Sequence, residues 1–319
     1  MKELTALERA IVSVLQIDPR ASWRKVAEVL GESERTVSRR GTELLAEGLV
    51  SVVGIRPEPA SVIAQLTCSP GTARAAAASL AQRPDTTFAY TVSGSGDVVA
   101  ELLIPPARLS TLLSEELPAT IGLTHATSYP VLHYFRTIRG WHPHPLTPAQ
   151  VSALQARHTV DTGRLDTASP LDGVDTALVE ALCADGRATF EALGRRANVA
   201  ESTARRRIDW ILGTDQVQLR VVVEPALLGL PTEALLWIRV NPALVEAVGE
   251  ELARDRRVRY AAAVAGDCQI VADVAVEDPA SLFALVTAST WARQVERVET
   301  TLVLEARKRG GLRLAPPAW

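Results

Sequence analysis

Glu32-Ser33-Glu34-Arg35-Thr36-Val37-Ser38-Arg39-Arg40 follows a short helical stretch, Ser22–Leu30, and a glycine at position 31. Gly31 suits a tight turn, because glycine takes a positive φ at little steric cost. Ser33 carries a hydroxyl that accepts one of the free backbone N–H groups in a first helical turn. Helical spacing then groups Arg35, Ser38 and Arg39 near one face and leaves Val37, Leu44 and Leu45 to pack inward. Such a helix offers guanidinium and hydroxyl donors to a nucleic-acid groove. The spacing predicts the second helix of a helix-turn-helix over Glu34–Ala46.

The stretch occurs twice. Ala200-Glu201-Ser202-Thr203-Ala204-Arg205-Arg206-Arg207 repeats it at an offset of 167 residues, with Ala200 in the place of Ser33. The same offset carries Leu4 to Leu171, Leu15 to Leu182, Arg20 to Arg187, Arg39 to Arg206 and Val50 to Val217. Gly31 falls on Asn198, and asparagine is the next best residue for a left-handed turn position. Apolar positions and turn chemistry that stay in register together mark an internal duplication.

Around these stretches the period of the apolar residues changes. Helices are expected at Thr5–Gln16, Ser22–Leu30 and Glu34–Ala46, then a strand at Leu49–Ile55, before Pro57-Glu58-Pro59 breaks the chain. Strands follow at Val62–Thr67, Phe88–Ser93, Val98–Ile104 and Leu123–Phe135, with a helix opened by Ser69-Pro70 and another over Arg108–Glu116. The order β-α-β-β-α-β is that of a ferredoxin-like sandwich. A second round has helices at Asp172–Ala184, Thr189–Ala197 and Glu201–Leu212 and a strand at Val217–Val223. Its sandwich has strands Ala234–Val240, Val258–Ala265, Ile270–Val276 and Val295–Glu305, with helices opening at Asn241-Pro242 and Asp278-Pro279. Here Val92, Gly94 and Ile104 match Val264, Gly266 and Val276 at an offset of 172, so five extra residues fit near Leu228–Thr232. The expected fold class is α+β, in two repeats, each a winged-type helix-turn-helix followed by a ferredoxin-like βαββαβ sandwich. The boundaries expected are 1–56 and 57–138 for the first pair of domains, 139–170 for a linker with a short helix at Ala149–Ala156, and 171–223 and 224–310 for the second pair.

Bulk composition narrows the classes. The chain has 319 residues, enough for two to four domains, and a formal net charge of -3, so any nucleic-acid binding rests on the local field of one face. Acids stand among the arginines: Glu32, Glu34 and Glu43 in one copy, Glu201 and Asp209 in the other. Cys68, Cys183 and Cys268 form no Cys-x-x-Cys, which excludes a disulfide scaffold and a structural zinc site. His142 and His144 have no third ligand nearby. Glu3, Glu8 and Arg9 interrupt any signal-like apolar run, and no stretch approaches a membrane span, so a cytoplasmic location without membrane contact is expected. No Ser-His-Asp triad, phosphate loop or metal cluster is visible; neither catalysis, a cofactor nor a metal is expected.

Leu171-Asp172-Gly173-Val174-Asp175 and Asp185-Gly186-Arg187 resemble the opening of the Lrp/AsnC family of bacterial transcription regulators, and Leu4-Thr5-Ala6-Leu7-Glu8 with Asp18-Pro19-Arg20 resembles it more loosely. The βαββαβ segments resemble that family's ligand-sensing and oligomerisation domain. Its Gly-Asp-x-Asp turn is split here, Gly94 with Asp97 in one copy and Gly266 with Asp267 in the other. Family members usually carry one copy of each domain, so the chain looks like two subunits fused. The resemblance implies a sequence-specific DNA-binding transcriptional regulator that responds to an amino acid or similar metabolite. Its partners would be double-stranded DNA, the effector, and further copies associating through the sheets. The DNA-facing residues expected are Glu34, Arg35, Thr36, Ser38 and Arg39, and Glu201, Ser202, Thr203, Arg205 and Arg206, with Arg40 and Arg207 as phosphate contacts or structural pairs. For the effector, the backbone at Gly94, Ser95, Gly96 and Asp97 and at Gly266, Asp267, Cys268 and Gln269 would bind a carboxylate, and Asp97 or Asp267 an ammonium. By resemblance the last strands add Thr127, Ser128, Thr300 and Thr301. Asp97 and Asp267 occupy different places in the motif, so the two sites should differ in preference.

Two alternatives belong to other classes. One is a sirohaem-decarboxylase-like enzyme, since some proteins with this domain pair resemble regulators yet decarboxylate sirohaem. The histidine-bearing hairpin strand expected of them is missing at Phe88–Ser93 and at Val258–Ala265, and only His125 and His133 stand on or near a sheet strand. The other is an oligomeric small-molecule-binding protein without DNA binding. The copies also diverge. Gly41 stands where the second copy has Ile208, and a glycine inside a helix costs roughly 1 kcal/mol against alanine. With Ala200 replacing the capping Ser33, one module is expected to bind DNA less well, and the operator need not be a perfect palindrome.

Overall fold

Residues 3–142, 144, 146–155 and 171–315 are described by the computed structural model. The first repeat runs α1 (Ala6–Ile17), α2 (Trp23–Leu30), α3 (Glu34–Ala46), β1 (Val50–Ile55), β2 (Ala60–Cys68), α4 (Ala73–Gln82), β3 (Thr86–Val92), β4 (Val98–Ile104), α5 (Leu109–Thr111, continued by a π turn, Leu112–Glu116) and β5 (Leu123–Arg136). After α6 (Pro148–Gln155), the second runs α7 (Gly173–Ala184), α8 (Phe190–Ala197), α9 (Glu201–Gly213), β6 (Gln218–Val223), β7 (Thr232–Val240), α10 (Val245–Arg254), β8 (Val258–Val264), β9 (Ile270–Val276), α11 (Pro279–Ala288) and β10 (Val295–Arg309). A two-residue strand, β11 (Leu312–Arg313), was not foreseen. The repeats do not fold side by side. One unit joins Leu4–Pro57 to His142–Glu224, and the other joins Glu58–Trp141 to the segment from Pro225 onward.

The helical unit gathers both helix-turn-helix modules. Thr5 and Glu8 form a reciprocal capping box on α1, and Asp172 and Asp175 form the same box on α7, which satisfies orphan N–H groups at equivalent helix starts. Gly31 (φ 69°) and Asn198 (φ 55°) end α2 and α8 in the left-handed region, as the turn chemistry required. The winged-type expectation needs correction. β1 has no hairpin partner within its own module; it pairs antiparallel with β6, from Val50 opposite Val223 to Ile55 opposite Gln218. Pro57 and Pro59 follow β1 and Pro225 follows β6, and proline offers no N–H to a returning strand.

Two arginines at equivalent positions lock the modules together. Arg20 donates to the carbonyls of Gly186 (2.5 Å) and Ala188 (3.0 Å), and Arg187 to those of Pro19 (2.7 Å) and Ala21 (3.0 Å). Arg20 stacks on Phe190 and Arg187 on Trp23. The stretch expected as a linker contributes too. Thr147 and Gln150 cap α6, which packs on α1 and α2 with Leu146 and Leu154 buried, while Trp141 is buried beneath Arg259 in the other unit. Ala156, expected to end that helix, lies outside the described residues, as do Pro143 and Pro145.

In the sheet unit each repeat supplies four antiparallel strands, in the order β3-β4-β2-β5 and β8-β9-β7-β10, as in a ferredoxin-like fold. Long β5 and β10 serve both halves. β5 pairs with β2 and then with β8, and β10 pairs with β7 and then with β3, so eight strands close into a cycle, with β11 added beside β10. This crossover explains why β10 outruns its expected end at Glu305. Helices α4 and α5 cover the outer face of one half and α10 and α11 that of the other, each over its own apolar core. A third core lies between the inner faces, built on Ile63, Phe88, Tyr90, Tyr129, Trp237 and Tyr260. The helix expected from Ser69-Pro70 begins later, at Ala73, because Ser69-Pro70-Gly71-Thr72 is a turn with Gly71 at φ 84° and the Thr72 N–H donating to the Ser69 carbonyl.

Candidate nucleic-acid interface and effector turns

Helices α3 and α9 carry the expected DNA-facing residues. On α3, Glu34, Arg35 and Arg39 are exposed, and Thr36, Ser38 and Arg40 are half-buried. The Ser33 hydroxyl accepts from the Thr36 N–H (3.2 Å) and donates to the Thr36 hydroxyl (2.7 Å), so Thr36 is engaged in the cap. Arg39 pairs with Glu43 (3.0 Å), and Arg40 with Glu43 (3.4 Å) and Glu8 (3.6 Å). On α9, Glu201, Ser202, Arg205 and Arg206 are exposed and Thr203 is half-buried. Arg205 stacks on Phe190 at 4.2 Å and pairs with Glu201. Arg207 is held by Asp172 (2.6 Å) and Asp175 (2.7 Å), which ties α9 to the start of α7. Among the described residues, the side chains of Arg35 and Arg206 make no ion pair or hydrogen bond.

The divergent pair Gly41 and Ile208 has a packing cause. A Cβ on Gly41 would sit 2.3 Å from the Trp23 ring. Trp23 occupies in the first module the place of Phe190 in the second, so a larger ring opposite glycine replaces a smaller ring opposite isoleucine. The glycine is thus a space requirement of Trp23, which in turn stacks under Arg187. No side chain caps α9 at Ala200, as its sequence required.

In the sheet unit each turn sits on the last strand of the other repeat. The Ser93 N–H donates to the Leu302 carbonyl (2.9 Å), and Ala265 does the same to Pro130 (2.8 Å). Gly94 (φ 97°) therefore faces Thr301, bringing together two expected residues far apart in sequence. Several of the groups expected to meet an effector are already engaged. The Asp97 N–H donates to the Leu66 carbonyl, the Gln269 N–H to that of Ile238, and the Asp97 carboxylate accepts from the Cys68 N–H (2.7 Å). The Gln269 side chain accepts from Val240 in the same way, which makes Asp97 the structural counterpart of Gln269 rather than of Asp267. Thr301 is wholly buried and accepts from the Trp237 indole (3.1 Å). Thr127 lies 3.3 Å from His125, and Ser128 pairs in the ladder opposite Ala64. Thr300 is exposed on β10.

The environments of the two turns differ. At the first, Gln65 donates to Ser95 (3.0 Å), Ser95 donates to Glu299, and Gly96 lies against Gln65. At the second, the Tyr129 ring covers Gly266 with its face tilted against Trp237 at 5.0 Å; burial raises the Tyr129 pKa, and the Asp267 carboxylate adds to the rise. Burial also pushes the Cys268 thiol up to about 12.

Sequence reasoning missed the polar groups sealed between the inner faces. Glu101 accepts from the hydroxyls of Ser61 (3.1 Å), Tyr134 (2.9 Å), Tyr260 (2.8 Å) and Thr87. At the equivalent place in the second repeat, Glu233 and Asp273 meet the buried Arg259, and Glu233 also takes two bonds from Arg309 (2.6 and 2.8 Å). Burial opposes ionisation of Glu233, but Arg309 and Arg259 outweigh it and hold its carboxyl low. Burial raises the Asp273 carboxyl, with Glu233 adding to the rise against Arg259 and Arg309. The available signal was a lone charge inside each otherwise apolar strand: Glu101 in β4, Arg259 in β8 and Asp273 in β9.

The family profile of the AsnC-type helix-turn-helix domain matches residues 4–44 and 171–209, and that of the Lrp/AsnC ligand binding domain matches residues 233–312. An HTH-type transcriptional regulator of Pyrococcus horikoshii is 32% identical over 109 residues, which cover 34% of this chain and 69% of that protein. One of Mycobacterium tuberculosis is 29% identical over 139 residues, 42% of this chain and 92% of its own length. Among solved structures, the siroheme decarboxylase NirDL has a similar fold, with a TM-score of 0.59 over 96% of this chain and 93% of its own, at 12% identity.

Proposed function

The chain belongs to the Lrp/AsnC family of transcription regulators, and we propose that it reads DNA through α3 and α9 as one built-in pair and responds to an amino-acid-like effector at the sheet unit. The reading rests on one observation above others: both helix-turn-helix modules are joined within one unit by the β1–β6 ladder and the reciprocal Arg20 and Arg187 bonds. In such a module the start of the second helix meets base edges while flanking groups meet phosphates. Each repeat is then the equivalent of one family subunit, with the helix-turn-helix segments at 1–56 and 171–223 and the sandwiches at 57–138 and 224–310. Association with further copies would use surfaces other than the inner sheet faces, which meet one another inside the chain.

At the effector turns, the first is the better supported, since Gln65, Ser95 and Glu299 present polar groups there while Tyr129 fills the second. A carboxylate-and-ammonium ligand would exchange these contacts for its own, and a difference in affinity between two arrangements would couple to DNA binding. The test is binding to DNA upstream of the protein's own gene across a salt series, with Arg35→Ala and Arg206→Ala beside the wild type. Sequence-preferring binding with a steep salt slope is expected, each lost phosphate contact lowering the slope by about 0.9. Equal binding to unrelated DNA at low salt, with and without amino acids, would sink the reading.

A second reading, a sirohaem-decarboxylase-like enzyme, draws on the fold likeness to NirDL. Against it, β3 and β8 carry no histidine, and His125 and His133 both stand on β5. Stoichiometric uptake of an iron tetrapyrrole by the purified protein, seen in the visible spectrum, would favour it.

A further inference from the structure

We propose that the two recognition helices specify different base positions, because each leaves a different arginine unengaged: Arg35 on α3 and Arg206 on α9. The proposal rests on the DNA-binding reading and adds to it which residues set the sequence. Arg35 is the second residue of α3, and its counterpart on α9 is the uncharged Ser202. Arg206 is the sixth residue of α9, and its counterpart on α3 is Arg39. Those two arginines differ in what stands one turn further on. Arg39 has Glu43 there and pairs with it at 3.0 Å, whereas Arg206 has the exposed Trp210.

An exposed ion pair of this kind is weak in itself. Its consequence for DNA is larger, because the Glu43 carboxylate stays one turn from Arg39 whichever way that arginine turns. Glu43 thus offsets Arg39 on α3, while on α9 Arg206 has Asp209 three residues on but makes no ion pair with it among the described residues. The other arginines on these faces are tied: Arg40 to Glu43 and Glu8, Arg205 to Glu201 and Phe190, Arg207 to Asp172 and Asp175.

A free guanidinium that reaches a base edge most often takes guanine, through O6 and N7 together. The two positions are four residues apart on their respective helices, about 6 Å along the axis at roughly 1.5 Å per residue. That distance is nearly two base-pair steps of about 3.4 Å. The guanine preferred in one half-site is therefore displaced by about one to two base pairs from its mirror position in the other. The operator is asymmetric by construction, although the two modules are related by duplication.

Enrichment of bound sequences from a random double-stranded DNA library, with the full-length chain, tests this. The wild type should yield a two-part motif with guanine at unmatched positions of its half-sites. Arg35→Ala should lower discrimination in one half-site and Arg206→Ala in the other, each on the order of ten-fold or more. Glu43→Gln, a near-isosteric change on an exposed face, should free Arg39 and add guanine preference at the mirror position, making the motif more symmetric. A perfectly symmetric wild-type motif, relaxation of one and the same half-site by both arginine variants, or no change with Glu43→Gln would overturn the proposal while leaving DNA binding intact. No enrichment over the input at low salt would instead remove the DNA-binding reading, and the proposal with it.

Discussion

Arg20 and Arg187 each bind two carbonyls across the module boundary and each stack on an aromatic ring of the other module. Hydrogen bonds from a charged donor contribute more than neutral ones, and truncation also leaves buried carbonyls unpaired. Arg187→Ala is expected to cost about 2–3 kcal/mol in urea unfolding, and Arg20→Ala a similar amount. Asp273 behaves oppositely to most buried carboxylates in ion pairs. Its folded value lies above the ordinary aspartate value of about 3.9. The folded chain thus keeps a proton that the unfolded chain has released, so this group erodes stability as pH rises above the ordinary carboxylate range. Glu233 has the reverse sign: its depressed value contributes stability above the ordinary glutamate range, and this is lost as pH falls through the folded value. Asp273→Asn should therefore gain on the wild type as pH is raised from about 4 to 8. Urea midpoints across that range check it; a constant difference would refute the assignment.

At the scale of single helices, a propensity scale gives the wrong sign for one change. Replacing the mid-helix Gly41 by alanine would gain roughly 1 kcal/mol in an open helix. Here the new methyl meets the Trp23 ring, over which Arg187 stacks at 4.5 Å. Overpacking of this kind costs about 1–3 kcal/mol, so Gly41→Ala should lower the melting temperature and Trp23→Phe in the same chain should restore part of it. α9 offers the converse. Ala200→Ser should supply the missing N-cap and stabilise by about 1 kcal/mol, read in thermal unfolding.

For the whole molecule, the decisive feature is that like pairs with like inside one chain. The inner faces of the two sandwiches form a shared core, and β5 and β10 each ladder with both halves. A family subunit with one sandwich would have to find that second face on another copy. The melting temperature is therefore expected to stay constant over a hundred-fold range of protein concentration, since only a pairing between chains would make it concentration-dependent. A rise with concentration would show that folded copies associate and that the chain's internal pairing is not the whole of its stability. The closed cycle of eight strands also leaves few unpaired ladder groups to template pairing with another chain.

The sequence alone determined the elements, their order and the duplication, because these depend on local chemistry that repeats at fixed offsets. Ser33, Gly31 and Asn198 set caps and turns within a few residues, and apolar period set helix or strand. Most boundaries shifted by only one or two residues, and α3 kept its expected limits. Tertiary structure decided what no single stretch contains. It paired β1 with β6 instead of forming wings, regrouped two repeats into two mixed units, and turned Asp97 into a partner of the Cys68 N–H. It also brought Glu233 and Arg309, 76 residues apart, into one buried cluster. The physical reason is separation in sequence: strand partners, buried charge networks and the space opposite Gly41 are set by residues distant in the chain, some of the same repeat and some of the other, and which of them meet depends on packing rather than on local preference.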